Sequence, residues 1–309
     1  MIEQFSQAAS PPPLKDVAVV IPAYNEEQLI ATTVNRVRAI SPDWRIVVVD
    51  DGSEDNTAEE ARRAGAEVIR HSYNMGNGSS VKTALTQVHT PVIAIVDADG
   101  QLPAEELPTM VQRLAHADMV VGARGPKSES NAVRKFGNWA LRKIASYLTG
   151  YRIPDLTCGL RVFYRKRCLE FLHLYPSRFS FPTTSTLAFL TSGYRVEFHS
   201  ISANRRPEGT HSKIQPVQDG IRFMAIIFRV VLLFQPWRIF IPASILIFLA
   251  GLMHQVFLLS VAFSTGDLKM SGTFIVCSIS ALFLFCFGLL AQQISEVRIH
   301  LAHIAKEKE

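Results

Sequence analysis

Two carboxylates one residue apart, Asp97 and Asp99, end an apolar run in the stretch Val92 to Gln101 (VIAIVDADGQ). The run Val92 to Val96 predicts a strand buried on both faces, as in a parallel sheet covered by helices. Both carboxylates then stand at the carboxyl end of that strand, where open α/β sheets bind ligands. In extended backbone, residues two apart point the same way, so the two side chains share one small volume. Two anions held together call for a cation. Oxygen ligands suit a hard divalent ion such as Mg2+ or Mn2+, which keeps part of its shell for water and substrate phosphate. Gln101 adds an amide oxygen at the same place. The plainer alternative is a strand end that opens a turn, a position that suits Asp.

The elements that must hold this pair follow in chain order. Asp16 to Ile21 (DVAVVI) predicts a first strand, halted by Pro22 and followed by Tyr24, Asn25 and Glu26. Leu29, Ile30, Val34, Val37 and Ile40 then recur at helical spacing. Arg45 to Val49 predicts a second strand ending in Asp50-Asp51-Gly52-Ser53, with a helix capped between Ser53 and Asn56. Val68-Ile69 is a short third strand, and Asn74 to Ser80 (NMGNGSS) is a glycine-containing loop that opens a helix. Strands alternating with helices in units of about 20 to 30 residues predict a right-handed βαβ sheet. The loop lacks the G-x-G-x-x-G fingerprint, since residue 81 is Val, and it follows the third strand instead of the first. Both points argue against a dinucleotide-dependent oxidoreductase.

A chain of 309 residues allows one to two domains. Its net charge of +5 suits an anionic membrane surface or phosphate-bearing substrates. Most of the charge precedes Arg238, whereas Ile239 to Phe263 and Gly272 to Ile294 carry none. Each of these runs is long enough to cross a bilayer core of about 30 Å. Arg222, Arg229 and Arg238 before the runs and Arg298, Lys306 and Lys308 after them outnumber Lys269 between them, which places both flanks in the cytoplasm. Residues 1–15, with three consecutive prolines and no apolar core, are expected to be a disordered tail without a signal peptide. Cys158, Cys168, Cys277 and Cys286 lack metal-ligand spacing and read as reduced and structural. His254 and Gln255, inside the first run, are expected to hydrogen-bond between helices. Two further segments, Asn131 to Tyr151 and Val217 to Leu233, mix apolar and basic residues in the manner of helices lying in a membrane interface.

Taken together and in order, PAYNE, DDGSEDNT, VDADGQ and VVGAR give Val17 to about Lys213 a resemblance to family 2 glycosyltransferases of the GT-A fold. With the two apolar runs, the whole chain resembles the polyprenyl-phosphate sugar transferases, both dolichyl-phosphate mannose synthase-like and undecaprenyl-phosphate glycosyltransferase-like. The fold implied is α/β: a GT-A, Rossmann-like nucleotide-sugar-binding domain over residues 16–215, then an amphipathic juxtamembrane helix over 216–238. Transmembrane helices over 239–263 and 272–294 and a cytoplasmic tail over 295–309 complete it. The resemblance implies a nucleotide-diphosphate sugar across the strand ends, with Asp97, Asp99 and Gln101 around Mg2+ or Mn2+. Pro22, Tyr24, Glu26 and Asp51 would line the base and ribose pocket. Arg124, which closes VVGAR, and Arg134 would contact diphosphate or lipid phosphate, a task suited to bidentate guanidinium. Arg206, Ser212 and Lys213, in the segment RRPEGTHSK, would close on the donor phosphates, although His211 adds a residue to the family's spacing there. Asn77 stands where many relatives carry Lys, which shifts phosphate neutralisation to the metal, Lys82 or the arginines.

Asp155, in IPDLTCGLR, matches an Asp near the family's reacting centre. A lipid monophosphate has a second pKa of about 6 and is already nucleophilic at neutral pH, so Asp155 is expected to position the acceptor more than to deprotonate it. The activity implied is metal-dependent, inverting transfer of one sugar to a polyprenyl phosphate at the cytoplasmic membrane face. Transfer to a diacylglycerol or polysaccharide, or a non-enzymatic membrane scaffold, are the competing readings. The partners implied are the nucleotide-sugar donor, the polyprenyl phosphate and membrane lipids; no nucleic acid is expected, and a homo-oligomer is compatible with the sequence.

Overall fold

The computed structural model describes residues 16–125, 132–177, 180–202, 216–265 and 270–307. It divides into one unit reaching Ser146 and resuming over Tyr151–Ile227, and a second made of Tyr147–Gly150 and Phe228–Glu309.

The first unit is built on seven strands: β1 (Val17–Ala23), β2 (Arg45–Asp50), β3 (Glu67–Arg70), β4 (Val92–Ile95), β5 (Met119–Arg124), β6 (Arg161–Tyr164) and β7 (Val196–Ile201). They form one sheet in the order β3-β2-β1-β4-β6-β5-β7. The helices of this part of the chain are α1 (Ile30–Ile40), α2 (Thr57–Arg63), α3 (Asn77–Gln87), α4 (Leu107–Arg113), α5 (Ala132–Thr149), α6 (Arg165–Leu169) and α7 (Phe181–Thr191). Alternate residues of β1 (Val17, Val19, Ile21) share a core with Ile30, Val34 and Val37 of α1 and Leu107, Met110 and Val111 of α4. Each such side chain contributes about 1.5–3 kcal/mol by leaving water.

The sheet corrects one sequence expectation. Pro22 does not halt the first strand: β1 continues to Ala23, with Pro22 opposite Val49 of β2. The Val20 carbonyl accepts from Val96 on the β4 side, while the Ala23 carbonyl accepts from Asp51 on the β2 side. Pro22, sharing the parity of Val20, turns its missing N–H toward β4 beyond the last β1–β4 pair, Val20–Ile95, so no ladder bond is lost.

The βαβ expectation, read from the strands up to β4, holds there: β1 pairs parallel with β2 and β4, and β2 with β3. β6 runs antiparallel to both β4 and β5, with Ile95 opposite Arg161 and Val121 opposite Arg161 on its other side. Because β6 runs against its neighbours, its start lies beside their carboxyl ends. The segment 155–160 is thereby delivered to the place where β4 ends in Asp97 and β5 ends in Arg124.

The second unit holds most of an apolar helical hairpin. α8 (Pro216–Phe234) ends before Gln235-Pro236; α9 (Trp237–Thr265) and α10 (Gly272–Glu307) follow. The stretches Trp237–Val261 and Gly272–Val297 are long and apolar enough to cross a membrane. The expected polar link between helices is present: the Ser271 amide donates to Gln255 Oε1 at 2.8 Å, and Ser271 Oγ lies 3.2 Å from His254 Nδ1. Ser271 Oγ also accepts from the Thr273 amide at 3.1 Å, capping the start of α10.

Close helix contact depends on Gly251, where an added Cβ would lie 2.6 Å from Cys277 Cβ. Gly251→Leu is therefore expected to wedge α9 from α10 and cost about 1–3 kcal/mol by overpacking. Thermal unfolding of the detergent-solubilised protein reads this as a lowered Tm; an unchanged Tm would remove Gly251 from the packing seam.

Candidate active site

The site begins with two loops that fasten each other. The Asn25 amide donates to Ser53 Oγ at 2.9 Å, the Glu26 amide to Thr57 Oγ1 at 2.8 Å, and the Glu54 amide to Asn25 Oδ1 at 3.0 Å. Asn25 adopts φ 54°, a left-handed conformation that Asn tolerates better than most residues. The PAYNE segment is thus held rigidly against the DDGSEDNT segment. Pro22 is buried, and Tyr24 and Glu26 are half-buried beside this seam.

Asp51 is buried and already engaged. Its Oδ1 accepts from the Met75 amide at 2.9 Å and its Oδ2 from the Gly76 amide at 2.6 Å, while His71 Nδ1 lies 2.7 Å from Oδ1. Gly76 takes φ 97° immediately before α3, so this carboxylate sits at the helix's start, where the dipole favours an anion. His71 and its second partner Thr83 were not singled out by the sequence; the available signal was a histidine at the carboxyl end of β3, just before a glycine-containing loop.

At the end of β4 the two predicted carboxylates come together. The structure places Asp97 against Gly159, the residue two before β6. Burial, then the neighbouring Asp99 charge, pushes the Asp97 carboxyl up to about 6, with Arg124 and Arg161 partly offsetting and Glu26 adding to the rise. The Gln101 amide donates to Asp99 Oδ1 at 3.1 Å, which folds the turn back on itself. Helix α1 braces the same turn, with Thr33 Oγ1 donating to the Ala98 carbonyl and Arg36 Nη1 to the Gly100 carbonyl, both at 3.0 Å.

Whether these residues fit a divalent cation is tested by their own chemistry. Asp99 is close enough for its charge to disfavour that of Asp97, which an added cation would relieve. The Gln101 side-chain nitrogen is buried without a hydrogen-bond partner. Since the two ends of an amide can exchange places, Gln101 can instead present its oxygen there. Among the described residues no three His, Cys, Asp or Glu side chains converge as a metal cage. The donor set therefore fits a hard ion held by one or two carboxylates and shared with a substrate's phosphates.

Arg124 and Asp155 meet across the sheet ends. Arg124 Nε donates to Asp155 Oδ2 at 2.8 Å and Nη2 to Oδ1 at 3.2 Å; Nη2 also reaches Thr157 Oγ1 at 2.7 Å. Burial alone would raise the Asp155 carboxyl, but the Arg124 pair and the Thr157 and Arg124 amides outweigh it and hold it below the usual carboxylate range. Such a group is a poor proton acceptor at neutral pH. The Arg142 guanidinium, on α5, fixes the preceding segment by donating to the Pro154 carbonyl at 3.0 Å.

Arg161, fully buried, was another residue the sequence left unmarked. Its Nη1 donates to Ser185 Oγ at 2.6 Å and the Pro182 carbonyl at 2.9 Å, and its Nη2 to the Cys158 carbonyl at 2.5 Å. The chain thereby pins the start of α7 behind the carboxylates. Cys158 and Cys168 are free and buried, and burial pushes both thiols up to about 12, in line with structural roles. Of the remaining predicted residues, Arg134 lies on α5 with its side chain outside the described part, and Arg206, Ser212 and Lys213 lie outside the described residues.

Residues 18–170 match the family described as Glycosyl transferase family 2, and residues 235–297 match the GtrB C-terminal hairpin. Among curated relatives, an undecaprenyl-phosphate 4-deoxy-4-formamido-L-arabinose transferase of Pectobacterium carotovorum is 33% identical over 172 residues, covering 52% of this chain and 53% of the relative. A dolichyl-phosphate hexose transferase of Haloferax volcanii is 36% identical over 161 residues, covering 51% of this chain and 68% of the relative. The chain thus spans about half the length of the arabinose transferases it matches. Among solved structures, glucosyl-3-phosphoglycerate synthase from Mycobacterium tuberculosis, in complex with Mn2+, UDP-glucose and phosphoglyceric acid, aligns with a TM-score of 0.56. That alignment has 15% identity and covers 70% of this chain and 79% of the other, so it speaks for the fold alone.

Two outcomes test the carboxylate cluster. A Cβ on residue 159 would overlap both Asp97 oxygens, so Gly159→Ala is expected to displace that carboxylate and weaken Mn2+ binding at least about tenfold, read by calorimetry. Unchanged Mn2+ affinity in a folded Gly159→Ala protein would dissociate Asp97 from the ion. The second concerns pH. A carboxyl raised to about 6 in the folded state is at its most favourable below about pH 4, and that advantage is lost as pH rises through 6. In chelator, Asp97→Asn should therefore be more stable than wild type above pH 6, by no more than about 3 kcal/mol since part of the group reaches solvent, and should lose the advantage near pH 4. Parallel Tm profiles for the two proteins across this range would contradict it.

Proposed function

We propose that this chain, which belongs to glycosyl transferase family 2, transfers one sugar from a UDP- or GDP-linked donor to a polyprenyl phosphate at the cytoplasmic face of a membrane. The observation that carries the reading is the paired carboxylates at the end of β4 facing a bidentate Arg124–Asp155 pair, on a chain that also bears two apolar helices. The names of the relatives, which specify polyprenyl-phosphate acceptors, support the acceptor class. The excess of Arg and Lys flanking the two apolar helices supports the cytoplasmic assignment.

In this reading Tyr24 and Glu26, held by the seam between the first two loops, receive the base and ribose, with Asp51 behind them. Asp97, Asp99 and Gln101 would hold Mg2+ or Mn2+, which when bound neutralises charge on the nucleotide diphosphate. A phosphate oxygen of the lipid attacks the anomeric carbon on the face opposite the nucleotide. A carbon–oxygen bond forms to the acceptor, the bond to the diphosphate breaks, and its electron pair leaves with the nucleoside diphosphate, inverting the centre. No proton has to move, because the acceptor is already ionised at neutral pH. Arg124, oriented by Asp155 and Thr157, meets incoming phosphate charge; Asp155 keeps that guanidinium in place. A carboxyl held below its usual range suits this task and not proton removal.

Mass detection of glycolipid from purified protein, a panel of UDP- and GDP-sugars, and either polyprenyl phosphate or polyprenol tests the acceptor. Transfer is expected to polyprenyl phosphate only, and equal transfer to polyprenol would refute the phosphate-acceptor reading. Asp155→Asn is expected to lower kcat/KM by about 10- to 100-fold while leaving measurable transfer, and to keep the wild-type decline as pH falls through the acceptor's second pKa of about 6. Complete loss of turnover in a folded Asp155→Asn protein would instead make Asp155 the base.

A further inference from the structure

We infer that His71 is a positioning residue for the nucleotide, holding the Asp51 carboxylate at the start of α3 through an Asp51–His71–Thr83 relay; this rests on the nucleotide-sugar reading above. The His71 side chain is 8% and the Asp51 side chain 4% exposed, and Thr83 is half-buried. His71 Nδ1 lies 2.7 Å from Asp51 Oδ1, and His71 Nε2 lies 2.9 Å from Thr83 Oγ1. An ionised carboxylate only accepts, so Nδ1 carries the proton and donates to Asp51. In the neutral ring Nε2 is then the acceptor, and the Thr83 hydroxyl, which can turn to suit, donates to it. Thr83 belongs to α3, so the helix itself sets the ring's orientation.

Asp51 also accepts from the Met75 and Gly76 amides. With His71, three donors converge on a carboxylate that offers about four lone-pair sites, which leaves about one for a nucleotide N–H or hydroxyl. The same bonds fix the loop that precedes α3. Gly52 secures its other side: at φ 72°, an added Cβ would lie 2.5 Å from the Tyr73 carbonyl carbon, so β2's loop and the loop after β3 meet backbone to backbone. His71 thus stands between two features of the proposed nucleotide pocket, the Asp51 carboxylate and the loop wall, without itself having to touch the ligand. Removing it leaves Asp51 buried with one donor fewer and free to turn away from the pocket.

The test uses the full chain in detergent, with donor and lipid kinetics measured for wild type, His71→Leu, His71→Asn and Thr83→Val, alongside calorimetric Kd values for UDP and GDP. Asn carries a side-chain nitrogen in nearly the place of Nδ1 and can keep the bond to Asp51. His71→Leu is expected to raise donor KM and the Kd of the bound nucleotide about tenfold, with kcat and lipid KM within about twofold of wild type. His71→Asn should stay within about twofold of wild type throughout, and Thr83→Val should raise donor KM about threefold. A folded His71→Leu protein with unchanged donor KM, a loss confined to kcat, or a His71→Asn protein as impaired as His71→Leu would each overturn the inference. Should His71→Leu fail to fold, an unchanged donor KM in Thr83→Val overturns it. Binding is read apart from turnover: a wild type that binds UDP or GDP yet transfers nothing defeats the acceptor assignment while the Kd series still decides on His71, and one that binds neither defeats both.

Discussion

Charge balance at the end of β4 is the constraint around which the first unit is arranged. Asp97 feels the negative charges of Asp99 and Glu26 and the positive charges of Arg124 and Arg161. Asp155 is paired to Arg124, so the guanidinium that offsets Asp97 is itself held by a second carboxylate. Burial first and the Asp99 charge second raise the Asp97 carboxyl, and the two guanidinium groups offset part of that rise. Arg161 supplies its share from behind: its hydrogen bonds among the described residues go to neutral oxygens, so its charge is not spent on a private partner.

Sheet topology makes this balance attainable. A run of parallel strands would present only the ends of β4 and β5, separated by a helical crossover. Placing antiparallel β6 between them brings a third segment, 155–160, into the gap from the opposite direction. That segment contributes the partner of Arg124 and, at Gly159, a backbone without a side chain on which Asp97 can rest. On the other half of the sheet, β1 and β2 end in loops that bond to each other and to the loop after β3, so the proposed nucleotide pocket is rigid before any ligand arrives. Preorganisation of this kind lowers the ordering cost of binding.

Much of this was legible in residue patterns, and the exceptions have physical reasons. The apolar runs at Val17, Arg45 and Val92 each became central strands, and Asp97 and Asp99 fell where a strand end must place them. The two charge-free runs became two long apolar helices, and Gln255 and His254 found the inter-helix partner their polarity requires. β6 was missed because it has only four residues and begins with Arg161, and a charge normally marks a strand as exposed. Its burial is intelligible only once the hydroxyls and carbonyls at the start of α7 are in place around it. Pro22 was read as a stop because the sequence does not reveal which side of β1 loses its neighbour first. His71 was invisible for a similar reason: a single histidine gains meaning only when Asp51, 20 positions earlier, and Thr83, 12 positions later, are brought to its two nitrogens.

The same logic separates the two carboxylates most exposed to mechanistic suspicion. Asp97 and Asp155 both lie close to Arg124, yet their carboxyls are driven in opposite directions. Asp155 receives two guanidinium bonds and two backbone amides, which outweigh the cost of burial; Asp97 has like charges for neighbours, and burial wins. A site that had to take a proton from its acceptor would need a base poised near neutral pH and aimed at the nucleophile. Here the carboxyl raised toward neutrality belongs to the cluster suited to a cation, while the one near Arg124 is locked into its ion pair. That division of labour matches a reaction in which the nucleophile arrives already ionised and the protein's work is to hold charges in place, which is the reason a phosphate acceptor fits this geometry better than a neutral hydroxyl.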